Sequence, residues 1–160
     1  MFIKKTLSKE QALEKIKQYC AYQERCHNEV KDKLYSYGLR RAEVDEIVSK
    51  MIENNYLNEE RYAKQFAGGK FRMKHWGRKK IQYELQQKGV NPFNIKIGLK
   101  DIEEEQYIAT LEKLAEKKWT SLSDEPYLGR LAKTTAYLLQ KGYESSLIHK
   151  VISEIRASGN

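Results

Sequence analysis

Three ten-residue stretches of this chain superpose without a gap: VKDKLYSYGL (Val30 to Leu39), IQYELQQKGV (Ile81 to Val90) and TTAYLLQKGY (Thr134 to Tyr143). Each carries Leu-x-x-x-Gly followed by an apolar or aromatic residue, and the glycines Gly38, Gly89 and Gly142 are 51 and 53 positions apart. A single Leu-x-x-x-Gly says little, because any amphipathic helix that ends in glycine produces one. Here the flanks agree as well. Six and ten positions past each glycine stand Val44 and Val48, Ile95 and Leu99, and Ile148 and Ile152. Self-similarity at a period of about 50 residues marks a chain built of stacked copies of one supersecondary unit.

The unit is helical. Apolar residues recur at spacings of three and four, strict alternation is missing, and only Pro92 and Pro126 interrupt the chain. Each glycine suits the position after a helix, where the backbone turns left-handed at little cost only for glycine. The helix that follows should bury a stripe, clearest in Val44, Ile47, Val48, Met51 and Ile52. A leading helix precedes each motif: one from Ser8, with Gln11 completing a capping box, one from Asn58, and one over 103–119. Asn91-Pro92 supplies a cap and a first-turn proline. The expectation is therefore an all-α fold of three tandem three-helix repeats, over 1–55, 56–102 and 103–160, forming an elongated, curved array. Gly68-Gly69 interrupts the leading helix of the second repeat at a cost of about 1 kcal/mol each against alanine. A bend, or a very close neighbour, is expected there.

Composition narrows the class. With 40% hydrophobic and 32% charged residues the chain lies far from the disordered corner. No apolar run is long enough for a bilayer and MFIKKTLSKE lacks the apolar core of a signal peptide, so a cytoplasmic protein without membrane contact is expected. Cys20 and Cys26 fit no zinc or redox spacing and are read as reduced thiols. His27, His75 and His149 have no metal-ligand partner at a recognised spacing, no phosphate-binding loop is present, and Glu103 to Glu105 suit the start of a helix better than a metal. No cofactor and no catalysis are expected.

Charge is concentrated. From Lys64 to Lys88 there are eight basic residues and one acidic, a net +7 in a chain whose total is +8. Phe66, Phe71, Trp76 and Tyr83 lie among them, at spacings that favour core packing over base stacking. Arg78, Lys79 and Lys80 follow Gly77 directly and so occupy the first turn of a helix, where each costs a few tenths of a kcal/mol unless an anion is bound. The contact candidates for an anionic partner, from charge and position, are Lys70, Arg72, Lys74, Arg78, Lys79 and Lys80, extended by Arg130 and Lys133 from the third repeat and Arg25 from the first. Reversing Arg78, Lys79 and Lys80 to Glu is expected to weaken binding and leave helicity unchanged.

YLNEERYAKQF followed by GRKKIQYELQQKGV resembles the core signature of the RecX family, regulators of the RecA recombinase. Tyr56, Leu57, Asn58, Arg61, Tyr62 and Ala63, then Gly77, Ile81, Glu84, Leu85, Lys88, Gly89 and Val90 fill its places. RCHNEVKDKLYSYG is similar to the family's opening in the first repeat, with Asn28 where Ser is frequent. The resemblance implies a monomeric, non-catalytic protein bound in the groove of the RecA–DNA filament, with single- or double-stranded DNA touched through its backbone. It further implies mostly inhibitory control of recombination, DNA repair and the SOS response, with Asn58 capping and Leu57, Arg61 and Tyr62 structural. Two other classes stay open: a helix-turn-helix transcriptional regulator, whose second helix would carry Glu43, Asp45 and Glu46, and a nucleic-acid-processing enzyme with a cryptic site.

Overall fold

The computed structural model describes residues 6–159; the amino-terminal sequence reading over 1–5 lies outside them. Nine helices and no strand occur among the described residues. They are α1 (Lys9–Tyr22), α2 (His27–Ser36), α3 (Arg41–Glu53), α4 (Glu59–Lys74), α5 (Arg78–Gln87), α6 (Pro92–Lys100), α7 (Glu104–Ser121), α8 (Tyr127–Lys141) and α9 (Ser145–Ala157). The all-α, tandem three-helix reading therefore holds. No helix among the described residues is long and apolar enough to cross a membrane.

Local chemistry explains the boundaries. Ser8 accepts from the Gln11 amide at 3.1 Å and the Gln11 side chain accepts from the Ser8 amide at 3.0 Å, the reciprocal box read from sequence. Asn58 accepts from the Arg61 amide at 3.0 Å and Asn91 from that of Asn94 at 2.8 Å. The motif glycines close α2, α5 and α8 in the left-handed region, with φ of 88°, 78° and 101° at Gly38, Gly89 and Gly142. Equivalent motif positions are buried in all three repeats: Val30, Ile81 and Thr134; Leu34, Leu85 and Leu138; Leu39, Val90 and Tyr143.

Two compact units make up the chain. The first comprises residues up to Gln65 together with Leu85–Gly98, and the second comprises Phe66–Glu84 with the residues from Leu99 onward. In the first, Ala12, Ile16, Leu34, Val44, Ile47, Met51 and Leu57 form the core. Arg61 locks the α3–α4 turn of this unit: its guanidinium pairs with Glu24 and donates to the carbonyls of Asn55, at 3.1 Å, and Tyr56. Asn55 sits at φ 62°, a conformation that asparagine tolerates better than most residues. With Leu57 and Tyr62 buried, the motif residues of this turn serve the fold. The second unit centres on an aromatic ladder, Phe71 to Tyr107 at 5.8 Å and Tyr107 to Tyr143 at 5.1 Å between ring centroids.

Both units use one docking device. In the first, the start of α2 sits on the glycine turn after α5: Asn28 Nδ2 donates to the Lys88 carbonyl at 3.1 Å, and a Cβ on Gly89 would strike the same side chain. In the second, the start of α5 sits on the glycine turn after α8. The Gly77 amide donates to the Lys141 carbonyl at 2.8 Å and the Lys79 amide to the Gly142 carbonyl at 2.9 Å. Gly77 is glycine because a Cβ there would overlap the Gly142 backbone.

Two expectations need correction. Ile52 is 45% exposed and outside the stripe, because the burial of Val44, Ile47, Val48 and Met51 already spans the inward face of α3. The close neighbour expected at Gly68-Gly69 is a side-chain end and not packed backbone: α4 is helical throughout, nothing lies within 4 Å of a Cβ on Gly69, and the nearest atoms to a Cβ on Gly68 belong to the flexible Arg72 guanidinium.

A candidate anion-binding face

The basic segment resolves into cations of two kinds. Arg78 belongs to the fold. Its guanidinium pairs with Glu144 at 2.7 Å and with Glu104, and it stacks 3.8 Å from the centre of the Tyr107 ring. The Tyr107 hydroxyl donates to Glu144 and accepts from the Arg78 amide at 2.9 Å. Burial, then the hydrogen bond to Glu144, pushes the Tyr107 pKa up. This network argues against including Arg78 in the reversal of Arg78, Lys79 and Lys80 expected to leave helicity unchanged, because a glutamate there would face Glu104 and Glu144. It also accounts for the basic first turn of α5. The amides of Gly77, Arg78 and Lys79 are all satisfied internally, and the charge that compensates Arg78 comes from α7 and the cap of α9.

Three other predicted contacts are committed in the same way. Arg130 stacks 4.1 Å from the Trp119 ring centre and donates to the Trp119 carbonyl at 2.8 Å. Arg25, in the first unit, stacks 3.7 Å from Tyr19 and donates to its carbonyl at 3.1 Å. Lys133 pairs with Glu125 at 2.6 Å. The sequence pattern did not separate these from free cations, since their partners lie at variable distances along the chain.

The second kind gathers around two aromatic rings of the second unit. Lys70, Lys74 and Lys80 place their ammonium groups 5.1, 5.9 and 4.7 Å from the centre of the Trp76 indole. Lys118 and Lys141 lie 4.9 and 6.0 Å from the Tyr137 ring. Among the described residues none of these five lysines is ion-paired with a carboxylate. Trp76, Lys80, Tyr137, Gln140 and Lys141 line a shallow pocket of about 130 Å³. Arg72, Lys74 and Lys79 are exposed, and Lys70 and Lys80 are half-buried. Phe71 is core, as its spacing suggested, Tyr83 is exposed, and Trp76 is half-buried with its ring open to the lysines. Lys118, Tyr137 and Lys141 are the residues the sequence reading missed. Their signal was the Tyr-x-x-x-Lys spacing of α8, which places Tyr137 and Lys141 on one helical face.

A pocket this small is below the few hundred Å³ typical of sites for small-molecule substrates. No group of His, Cys, Asp and Glu that could hold a metal occurs among the described residues. Burial raises the Cys20 and Cys26 thiols to about 11, so both are protonated and poorly nucleophilic near neutrality. The arrangement is that of a tandem-helical protein whose second unit carries a cationic, aromatic face.

Comparison with known proteins gives that class its family. Residues 58–99 match the family model described as RecX, second three-helix domain, and residues 104–152 that of the third three-helix domain. The chain belongs to the RecX family. It is 28% identical over 137 residues to the regulatory protein RecX of Oceanobacillus iheyensis and 29% identical over 138 residues to that of Bacillus cereus, in each case over 86% of this chain. It spans about half the length of these curated relatives, 50% and 51%. A crystal structure of RecX from Lactobacillus salivarius superposes with a TM-score of 0.85 at 26% identity, covering 93% of this chain and 97% of that one. A second, of a regulatory protein RecX, superposes at 0.82 over 91% and 71%; at 23% identity it bears on the fold alone.

Proposed function

We propose that this protein is a non-enzymatic regulator, mostly an inhibitor, of the RecA recombinase. It acts in the cytoplasm as a monomer, binding in the groove of the RecA–DNA filament and so modulating recombination, repair and the SOS response. The observation that carries this reading is the set of five lysines without carboxylate partners in a chain whose relatives are named regulatory proteins. Like charges held together in the free protein repel one another, and an anionic partner relieves that repulsion while releasing its own counterions. The helix-turn-helix alternative is disfavoured because α3 presents Glu43, Asp45 and Glu46, of which Glu46 is already paired with Lys9 at 2.6 Å.

The deciding experiment is the single-stranded-DNA-dependent ATP hydrolysis of the cognate recombinase with this protein titrated in. Inhibition below stoichiometric amounts is expected for the wild type. Its loss by roughly tenfold or more is expected for a Lys74→Glu, Lys79→Glu, Lys80→Glu triple variant. Arg78 stays unchanged so that folding is unaffected. Inhibition of equal strength by the variant refutes the face; no effect of either protein on hydrolysis or filament binding refutes the recombinase reading.

A further inference from the structure

We propose that the Trp76–Tyr137 pocket is a base-stacking subsite for unpaired nucleic acid, with Lys70, Lys74 and Lys80 holding the flanking phosphates and the Trp76 indole taking a base on its open face. This deepens the reading of the lysine face as the surface for an anionic partner, on which it rests, and names the chemical form of that partner.

Three observations favour a nucleic-acid strand over an acidic peptide. The cations around the pocket are lysines, point charges suited to phosphate oxygens, whereas Arg78 and Arg130, whose planar forks match carboxylates, are committed to Tyr107, Trp119 and internal acids; Arg72 is exposed but does not line the pocket. The backbone amides that would capture a terminal carboxylate, those of Gly77, Arg78 and Lys79, already donate to Lys141, Tyr107 and Gly142. And the lysines are arranged around aromatic rings: Trp76 has three ammonium groups within 6 Å of its centre, and it lies edge-on to Phe66 at 6.5 Å, which braces one side of the indole. An aromatic ring ringed by cations is how sequence-tolerant single-strand sites are built, since every base has a π-face and every linkage a charge. The pocket, about 130 Å³ and open to solvent, is of the size of one planar ring.

Duplex DNA does not present an unstacked base, so the subsite should prefer single strands. The test uses the full chain without recombinase, and so fails independently of the regulatory reading. Binding of labelled oligo-dT is followed by anisotropy against an abasic phosphodiester oligomer of equal length and charge, and against duplex. The wild type should bind oligo-dT about five- to 150-fold more tightly than the abasic strand, the range for one stacked base. Trp76→Ala should erase that gap and leave the salt slope unchanged, because the indole carries no charge. Lys80→Gln should lower the slope by about 0.7 and keep the gap. Trp76→Phe, which keeps a ring, should retain part of the gap, and Trp119 fluorescence reports that each Trp76 variant is folded. Equal affinity of the wild type for dT and abasic strands, or a gap that survives Trp76→Ala, overturns the proposal. So does duplex bound as tightly as single strand, or polyglutamate competing with the same dependence on Trp76.

Discussion

Removing the Arg78 side chain should destabilise the second unit. The Arg78 and Glu144 side chains are 23% and 25% exposed and 2.7 Å apart, so their attraction is partly desolvated. At an effective dielectric near 20, two unit charges at about 4 Å gain about 4 kcal/mol, and desolvation returns a large part of it. A net of about 2 kcal/mol is reasonable for this pair. The contact of Arg78 with Tyr107 adds about 1 kcal/mol, and the Glu104 pair, with its carboxylate 66% exposed, adds a few tenths at most. Arg78→Ala should therefore cost about 3 kcal/mol.

The assay is unusually clean because both tryptophans, Trp76 and Trp119, lie in the second unit and none lies in the first. Urea unfolding followed by tryptophan fluorescence reports the second unit, while far-ultraviolet circular dichroism reports both. Arg78→Ala should lower the midpoint of the fluorescence transition by the equivalent of about 3 kcal/mol. A cycle with Glu144→Ala should return a coupling of about 1–2 kcal/mol. Lys79→Ala, one residue away and exposed, should fall within about 0.5 kcal/mol of wild type. If Arg78→Ala is as stable as Lys79→Ala, the internal network does not carry the cost assigned to it and Arg78 returns to the set of free cations.

That contrast marks the limit of what the sequence disclosed. Helix count, caps and left-handed glycines were legible because each depends on residues within four positions of one another: Ser8 with Gln11, Asn58 with Arg61, Leu138 with Gly142. The family signature was legible because the same short-range requirements repeat. Which of Arg78, Lys79 and Lys80 is free was not legible, since the answer lies in Glu144, 66 positions from Arg78, and in Glu104. The pocket was half legible. Trp76 and Lys80 come from the basic run, but Tyr137 and Lys141 enter only when the Gly142 turn docks beneath the start of α5. Charge counted along a chain overstates a binding face wherever acids from later elements fold back onto it.

Three further outcomes test the fold. Gly69→Ala should stabilise the protein by about 0.5–1 kcal/mol, because the site is helical and open, whereas Gly142→Ala should destabilise it strongly by forcing a Cβ into Lys80 at φ 101°; comparable shifts in urea midpoint for the two would contradict the docking geometry. Stability of the first unit should fall as pH rises through 9 towards 11, because folding holds the Cys20 and Cys26 thiols protonated over the window in which unfolded thiols ionise; well below pH 9, where the thiols are protonated in both states, they contribute no slope. A Cys20→Ala, Cys26→Ala variant should show less of that alkaline loss by circular dichroism. Thr134 occupies the buried position filled by Val30 and Ile81 in the other two motifs, and its hydroxyl is buried without a hydrogen-bond partner. Valine has nearly the same shape and no polar atom to leave unpaired, so Thr134→Val should raise the fluorescence-detected stability by about 1 kcal/mol. A loss of stability would mean that the hydroxyl is satisfied in solution and that the third repeat departs from the apolar pattern for a reason of its own.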